Sequence, residues 1–271
     1  MLRPIEVSRA FSPLVRKAGV KKVPRFGACV GIDSQSGENR NSNEEGTASA
    51  LRYRLAIRYA IEGDLRFLSH QDSLRLFHRA FARADLPIRY SEGFNPRPRI
   101  SIVMPRPVGV ASHDERMVVE LSAPVAEEDV QRRLSAETPD GIRILSVQRL
   151  GLQDRCVPTE AEYVLPLADS ALPDVERACA DFMAKPNLMV ERPALAGRRR
   201  RQVDVRGFII DMRVSAGRLI WRQTISQDGT ARVGEVLDAV GLPSREWTHR
   251  VIRHSAAFRD ECAIPFAGSN Q

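Results

Sequence analysis

The 271-residue sequence predicts an α+β protein built from two tandem domains. Segments that alternate apolar and polar residues, as half-buried strands do, are interleaved with segments of helical periodicity. Residues 51–150 give the order strand, helix, strand, strand, helix, strand, and residues 160–258 repeat this order more loosely. The order is typical of the split βαβ, or ferredoxin-like, arrangement, in which an antiparallel sheet carries both helices on one face and leaves the other face free.

The elements of the first half are marked by periodicity and by one helix cap. The stretch "LRYRLAIRYAI", residues 51–61, alternates as a half-buried strand does. Ser69 and Asp72 have the spacing of a capping box, so we expect a helix to start near His70 and to end before Pro87. "RISIVMP" and "RMVVELSAP" then predict two strands, "EEDVQRRLSAE" a second helix and "GIRILSVQRL" a last strand.

The second half gives a less regular version of the same order. "AEYVLPL" predicts a strand, "LPDVERACADFMAK" a helix and "LMVERP" a further strand. "VDVRGFIIDMRV" and "RLIWRQTIS" predict a hairpin that turns at residues 215–217. "RVGEVLDAVGL" then indicates a helix and "HRVIRHSAAF" a final strand.

The two ends of the chain are expected to lie outside the domains. Residues 1–50 include a polar stretch without periodicity and predict a disordered leader, and residues 259–271 predict a tail. No apolar run reaches the roughly 20 residues of a bilayer span, and no secretory signal precedes the domains, so we expect a cytoplasmic protein without a membrane partner. The four cysteines are far apart and no CxxC pair occurs, so we expect no metal site and no cofactor.

The chain also contains motifs that resemble a known family. These are "GDLRFLSHQDSLRLFHRAFARADLPIRYSEGFNPRPRISIVMPRPVGV" together with "VDVRGFIIDMRV" and "VGEVLDAVG". They resemble the bacterial radical-SAM-linked proteins, a domain of unknown function termed DUF2344. The resemblance implies a cobalamin-binding radical-SAM protein as partner and supplies no reaction. Arg97 stands where the family pattern has a histidine, and Gln71 where leucine is usual, which puts a catalytic role of that loop in doubt.

The segment "YSEGFNPRPR", residues 90–99, is the first candidate for a binding site. Gly93 and two prolines predict a stiff, exposed turn. Arg97 and Arg99 can offer guanidinium donors to phosphate, and Tyr90 and Phe94, with Asn95 between them and the arginines, can offer faces on which bases stack. The alternative is structural: Phe94 closes the core and Tyr90 closes the junction between helix and strand.

Other candidates lie on the first helix and in an arginine run. The net charge of +7 and the pI of about 9.7 favour polyanionic partners. Arg75, Arg79 and Arg83 recur on one helix face, and Arg198, Arg199, Arg200 and Arg201 form a run that attracts phosphate if the residues share a surface. His70 and Asp72 are possible functional residues, although Asp72 has a capping role and His70 is equally explained by a bond that fastens the helix start.

Three functions fit these features. The first is a non-catalytic RNA-binding companion of a radical-SAM enzyme, acting in tRNA or rRNA modification or maturation. The second is an endoribonuclease-like RNA-processing enzyme, by analogy of fold. The third is a protein-binding scaffold that uses the free sheet face. We expect the chain to have no independent catalytic activity, and we expect no iron-sulfur cluster on it because its cysteines are isolated.

Overall fold

The computed structural model describes residues 52–193 and 200–259, which belong to one compact unit of the chain. The predicted leader, the predicted tail beyond residue 259, and Arg198 and Arg199 lie outside the described residues. Among the helices of the described ranges, none has the length and apolar character needed to cross a bilayer.

The first half contains the predicted elements in the predicted order. They are β1 Tyr53–Ile61, α1 His70–Arg83, β2 Ile100–Ile102, β3 Ala111–Leu121, α2 Glu127–Glu137 and β4 Ile142–Leu150. The predicted start of α1 is confirmed, because the Ser69 hydroxyl accepts a hydrogen bond from the Asp72 backbone N–H. The strand β3 is longer than "RMVVELSAP" predicted, since its first residues pair both with β1 and with the second half of the chain.

The second half is less regular than the first. Its elements are β5 Pro158–Pro166, α3 Leu172–Ala184, β6 Met189–Arg192, β7 Arg201–Asp204, β8 Ile209–Ser215, β9 Arg218–Thr224, α4 Val233–Ala239, α5 Ser244–Trp247 and β10 Ile252–Phe258. The single strand predicted for "VDVRGFIIDMRV" is wrong, because the chain turns between β7 and β8. The Asp204 carboxylate fixes that turn by accepting from the backbone N–H groups of Leu188 and Arg206.

The strands of both halves join in one sheet of eight strands. Its order is β4-β1-β3-β10-β5-β9-β8, with β2 also paired to β3, while β6 and β7 form a separate ribbon. All pairings are antiparallel except the one between β10 and β3. If the β6 and β7 ribbon is left out, both halves have the same order: β4-β1-β3-β2 in the first and β10-β5-β9-β8 in the second. The predicted α+β class with a largely antiparallel sheet is confirmed.

Each half packs its helices on one face of the sheet. In the first half the core contains Phe77 and Phe81 of α1, Leu134 of α2, and the alternate β1 residues Leu55 and Ile57. In the second half Phe182 of α3 and Val236 and Leu237 of α4 pack with Trp221 and Leu165 of the strands. The spacing of 3.6 residues on the helices and 2 residues on the strands places these side chains on the buried faces.

The opposite face of the first half is covered in part, so the expectation that it is free is wrong. Ala56 and Ala60 of β1 are fully buried. Ala56 packs with Leu150 and Cys156, which flank the connection between the halves. Arg54 holds this connection through donor bonds to the carbonyl oxygens of residues 151, 152 and 154, at 2.7, 3.0 and 2.9 Å.

The joint between the halves is polar and buried. Ile252 and Arg253 of β10 pair with the first two residues of β3. The guanidinium of Arg253 donates to Glu115 at 2.8 Å, and both side chains are only 2% exposed. The Asp114 carboxylate accepts from Arg58 at 2.7 Å and from the Ala256 backbone N–H at 3.1 Å. Because a buried charge is stable only with its partner, these bonds fix how β3 and β10 lie against each other.

Candidate nucleic-acid interface

Residues 89–99 form a hairpin arm on the edge of the sheet. Arg89 donates its backbone N–H to the Glu120 carbonyl, and the Glu120 N–H bonds the Arg99 carbonyl, so the base of the arm is fixed to β3. Higher up, the Ser91 N–H bonds the Arg97 carbonyl at 2.8 Å. The Ser91 hydroxyl in turn accepts from the Arg97 N–H at 2.9 Å. The arm is therefore a bonded hairpin with a short tip at residues 92–96.

The tip of the arm presents aromatic surface to solvent. Phe94 has a relative exposure of 105% and Tyr90 of 53%. Gly93 beside them has φ +122°, a backbone conformation that only glycine adopts without strain. The exposure of Phe94 excludes the alternative that it closes the core. A fully exposed phenylalanine on a fixed arm has its ring face free for stacking.

The arm forms one wall of a groove that we call the basic groove. This groove has a volume of about 710 Å³ and lies on the sheet face opposite the helices. Its lining residues include Arg54, Arg97, Arg99, Arg155 and the single acidic residue Glu120. Arg54 faces this side because its neighbour Leu55 points into the helix-bearing core, and side chains alternate along a strand.

The basic groove continues onto the second half of the chain. Arg155 and Val157 line both the basic groove and an adjoining cleft of about 600 Å³. The cleft is bordered further by Ile225 at the end of β9, by the turn that follows it, and by Arg259. The Arg259 backbone N–H bonds the Val157 carbonyl at 2.9 Å, which holds this arginine beside the connection between the halves. The two openings thus form one track across the protein.

Four arginines of this track have no acidic partner among the residues that the structure describes. Within the described ranges, the side chains of Arg97, Arg99, Arg155 and Arg259 have no hydrogen bond or ion pair, and all four residues are exposed. Glu120 lies 3.6 Å from Arg89, so its charge is directed toward another arginine. Exposed guanidinium groups without carboxylates attract phosphate, and phosphate contact releases the counterions of a nucleic acid.

The arginines of α1 do not share this track. Arg75 and Arg79 border a different depression, of about 430 Å³, on the helix side of the sheet. Arg75 is paired with Asp72 at 2.9 Å, and Arg83 with Glu137 at 2.9 Å. A single surface that combines them with Arg97 and Arg99 is therefore not formed. The sequence shows that these residues have the same charge, but the sheet lies between the arginines of α1 and those of the arm.

The arginine run is divided as well. Arg200 pairs with Glu191 at 2.8 Å across the β6 and β7 ribbon. Arg201 makes a long bond, 3.4 Å, to the Asp228 carbonyl. Asp228 adjoins Gln227, which lines the cleft, so Arg201 lies near the track from the second half.

His70 and Asp72 lie at the start of α1, away from the basic groove. The imidazole Nδ1 of His70 is buried without a partner in the described part of the chain. The cavity that His70 borders with Tyr59 and Glu115 measures about 10 Å³, the space of one water molecule at most. Hydrogen bonds from Ser69 and then Arg75 hold the pKa of Asp72 below its ordinary value. The cap between Ser69 and Asp72 is therefore confirmed, whereas the bond expected to fasten the helix start through His70 is not seen among the described residues. The cavity at His70 has no room for a substrate, while Asp72 borders the depression of about 430 Å³.

Three lining arginines were not predicted from the sequence. Arg54 lies inside an alternating strand, Arg155 in the connection between the halves, and Arg259 at the end of β10. Arg155 carried one available signal, since it stands in the short polar stretch "QDR" between two predicted strands. Arg54 and Arg259 had no such signal. In the parts of the chain that the structure describes, no group of three His, Cys, Asp or Glu side chains could hold a metal ion.

Comparisons with solved structures give weak likenesses. The acetolactate synthase small subunit from Thermotoga maritima is 12% identical, with 78% of this chain and 99% of that chain covered and a TM-score of 0.23. An unknown protein from Galdieria sulphuraria is 15% identical, with 64% of this chain and 80% of that chain covered and a TM-score of 0.22. Both scores are too low to support an argument about fold or function.

The sequence comparison gives a clearer result. Among curated proteins, none matches the chain. A family model does match: it is described as an uncharacterized protein conserved in bacteria, DUF2344, and it covers residues 54–234. The matched region includes the hairpin arm, the connection between the halves, the basic groove and the residues that line the adjoining cleft except Arg259. The chain therefore belongs to the DUF2344 family of uncharacterized proteins conserved in bacteria.

Proposed function

We propose that this protein is a non-catalytic RNA-binding companion of a cobalamin-binding radical-SAM enzyme, with a role in tRNA or rRNA modification or maturation. Its two halves act as two ferredoxin-like modules that together hold one RNA segment. The observation that carries the proposal is the track of Arg97, Arg99, Arg155 and Arg259, which have no side-chain partner among the described residues, together with the exposed ring of Phe94 on the arm. An RNA partner of this kind places the protein in the cytoplasm.

The shape of the interface favours single-stranded or looped RNA over a regular duplex. Bases in loops and ends are unstacked and can stack on aromatic side chains, while those inside a duplex cannot. Phe94 and Tyr90 lie exposed on the hairpin arm, whose residues Ser91 and Arg97 line the basic groove. Arg155 continues the lining to the connection between the halves. A basic track with aromatic platforms is the usual arrangement for binding a single strand with little sequence preference.

The radical-SAM enzyme enters the proposal through the family resemblance of the motif around residues 90–110. In this assignment the partner performs the chemistry, and the present chain supplies RNA affinity and position. The cramped surroundings of His70 support the same division of roles, because a cavity of about 10 Å³ does not admit a ribose or a phosphodiester. Cleavage of RNA by the chain, or binding of protein without RNA, would contradict the assignment.

The first experiment measures RNA binding by a pair of variants with equal net charge. The double variant Arg97→Ala with Arg99→Ala removes two groove charges, and the matched control Arg132→Ala with Arg177→Ala removes two charges from exposed helix positions. Labelled single-stranded RNA of mixed sequence is titrated at several salt concentrations. We expect the groove variant to bind all sequences more weakly and to lower the salt slope by about 1.4, since each phosphate contact on a single strand contributes about 0.7. The control should match the parent.

The outcomes separate the possible functions. Equal affinities and salt slopes in the groove variant and in the parent would refute the RNA site. Time-dependent cutting of the bound RNA would identify an endoribonuclease instead of a non-catalytic companion. Absence of RNA after purification without nuclease, together with a co-purified protein, would favour the scaffold. Co-precipitation with the radical-SAM protein, tested with and without nuclease, decides the second half of the proposal.

A further inference from the structure

A second cavity lies at the joint between the two halves, on the helix side. It has a volume of about 360 Å³, within the range of sites for small molecules. One wall is the segment of residues 104–107, which follows β2, and the other is the start of α4 with the turn before it, residues 230–234. Tyr163 of β5 and Arg253 of β10 form the floor, and Thr248 borders the cavity as well.

The floor of this cavity is rigid and fully bonded. Arg253 is 1% exposed, donates to Glu115 at 2.8 Å, and reaches the Tyr163 hydroxyl at 3.4 Å. The Tyr163 ring stacks on Trp221 with 5.1 Å between ring centroids. The Trp221 indole N–H donates to Gln223, whose amide bonds Thr230 and so ties the floor to the wall. A preformed site of this kind loses little entropy when a ligand binds.

The lining combines apolar walls with a surplus of positive charge. Met104, Pro105, Ile225, Ala231 and Val233 supply most of the apolar surface. Of the described residues that line the cavity, three are arginines, Arg106, Arg232 and Arg253, and none is acidic; the charge of Arg253 is paired with Glu115 below the floor. An apolar slot with a cationic rim suits a ligand that has a flat apolar body and one anionic group.

In the described part of the chain, the side chains of two of these arginines donate no hydrogen bond to a carboxylate, although Glu115 lies close enough to stabilise the charge of Arg106. Arg106 donates to the carbonyl oxygen of Arg66 at 2.5 Å and to that of Val110, and both acceptors are neutral. Arg232 is exposed at the cavity mouth, and its backbone N–H donates to the Glu235 carboxylate at 2.9 Å. That carboxylate attracts the Arg232 charge but is itself paired with Arg192 at 2.8 Å, so two arginines face one acid there. The mouth therefore has a positive charge that an anion can approach from solvent.

The cavity is connected to the track that we assign to RNA. Ile225 lines both this cavity and the cleft beside Arg155 and Arg259. Val103 lines the basic groove and its neighbour Met104 lines the cavity. The cavity thus shares the wall residue Ile225 with the cleft and adjoins the basic groove at Met104, although the groove lies on the other face of the sheet.

We propose that this cavity binds one unstacked nucleotide of the RNA held in the track, with the base between the apolar walls and the phosphate at Arg232. The proposal rests on the proposed function for the source of the nucleotide. Nucleotide binding by the cavity can be tested without RNA, because a cavity that holds one nucleotide of a strand also binds a free nucleoside 5′-monophosphate. Enzymes and binding proteins that take a base out of a strand hold it in pockets of this type.

The test uses calorimetric titration of the full chain with AMP, GMP, CMP and UMP, and with adenosine and ribose 5-phosphate as partial ligands. We expect saturable binding of at least one monophosphate, and at least tenfold weaker binding of both partial ligands because each lacks one half of the contacts. Arg232→Ala should weaken monophosphate binding about tenfold or more, and Arg232→Glu further, since a charge-assisted bond is lost and then replaced by repulsion. Arg245→Glu, an exposed arginine on α5 outside the cavity, is the matched control and should bind as the parent does.

Failure of this inference is distinguishable from failure of the RNA site. If no monophosphate binds at millimolar concentration, or if Arg232→Glu binds as tightly as the parent, the cavity is not a nucleotide site whatever the RNA titration shows. If monophosphates bind with the expected variant effects but the groove variant retains full RNA affinity, the cavity proposal stands and the assignment of the track to RNA is wrong. Melting curves of each variant confirm that the fold is intact in these comparisons.

Discussion

Replacement of Phe94 by alanine is the sharpest test of the arm, because it should weaken RNA binding and leave the stability of the fold unchanged. The ring has a relative exposure of 105%, so its removal uncovers no core and should change the free energy of unfolding by less than about 0.5 kcal/mol. The same truncation at Phe77, which is fully buried, should cost about 3–5 kcal/mol. If RNA bases stack on Phe94, affinity should fall by about 1–3 kcal/mol, which is roughly 5- to 150-fold.

The assay compares the affinity for single-stranded RNA at several salt concentrations with a urea unfolding curve. Because Phe94 carries no charge, the salt slope should stay at the parental value while the affinity falls. Phe67→Ala is the matched control, since Phe67 is 51% exposed and is not among the residues that line the groove or the adjoining cleft. Unchanged affinity in Phe94→Ala, or an equal loss in Phe67→Ala, would show that the arm does not stack on bases. A loss of stability above about 1 kcal/mol would show that Phe94 packs on the protein.

Three further predictions concern stability and reactivity. The pKa of Glu235 lies below its ordinary value, because the effect of burial, which alone would raise it, is outweighed by hydrogen bonds from Arg192. The ionised Glu235 stabilises the fold above the unfolded pKa of about 4.3, and this stabilisation is lost as the pH falls through the lower folded pKa. Acidification should therefore lower the melting temperature of Glu235→Gln less than that of the parent. Glu115→Ala leaves Arg253 buried without its carboxylate partner and should lower the free energy of unfolding in urea by about 3–5 kcal/mol. The double variant Glu115→Leu with Arg253→Met should lower it far less. If the double variant lost as much stability as the two single variants together, the two residues would not act as a buried pair. Burial raises the pKa of Cys179 to about 11, so peptide mapping after alkylation at neutral pH should find this thiol modified only in unfolded protein.

The sequence alone determined those features that depend on neighbours along the chain. The alternation in β1, the 3.6-residue repeat of α1 and the cap at Ser69 are local patterns, and each appears in the structure where it was expected. Proline and glycine likewise predicted the exposed turn at residues 90–99. In the second half the local pattern failed at "VDVRGFIIDMRV", because the carboxylate of Asp204 fixes a turn through residues 188 and 206, which no periodicity reveals.

Only the tertiary structure decided which charges share a surface. Arg75 and Arg97 are 22 positions apart in a strongly basic sequence, yet the sheet lies between their surroundings, while Arg54, Arg99, Arg155 and Arg259 meet along one track. That meeting depends on the parallel pairing of β10 with β3 and on the buried bond between Arg253 and Glu115. Strand pairing between distant segments and the closure of a buried ion pair are long-range events. A sequence pattern records which face of an element is apolar, and it does not record which other element that face or edge will meet.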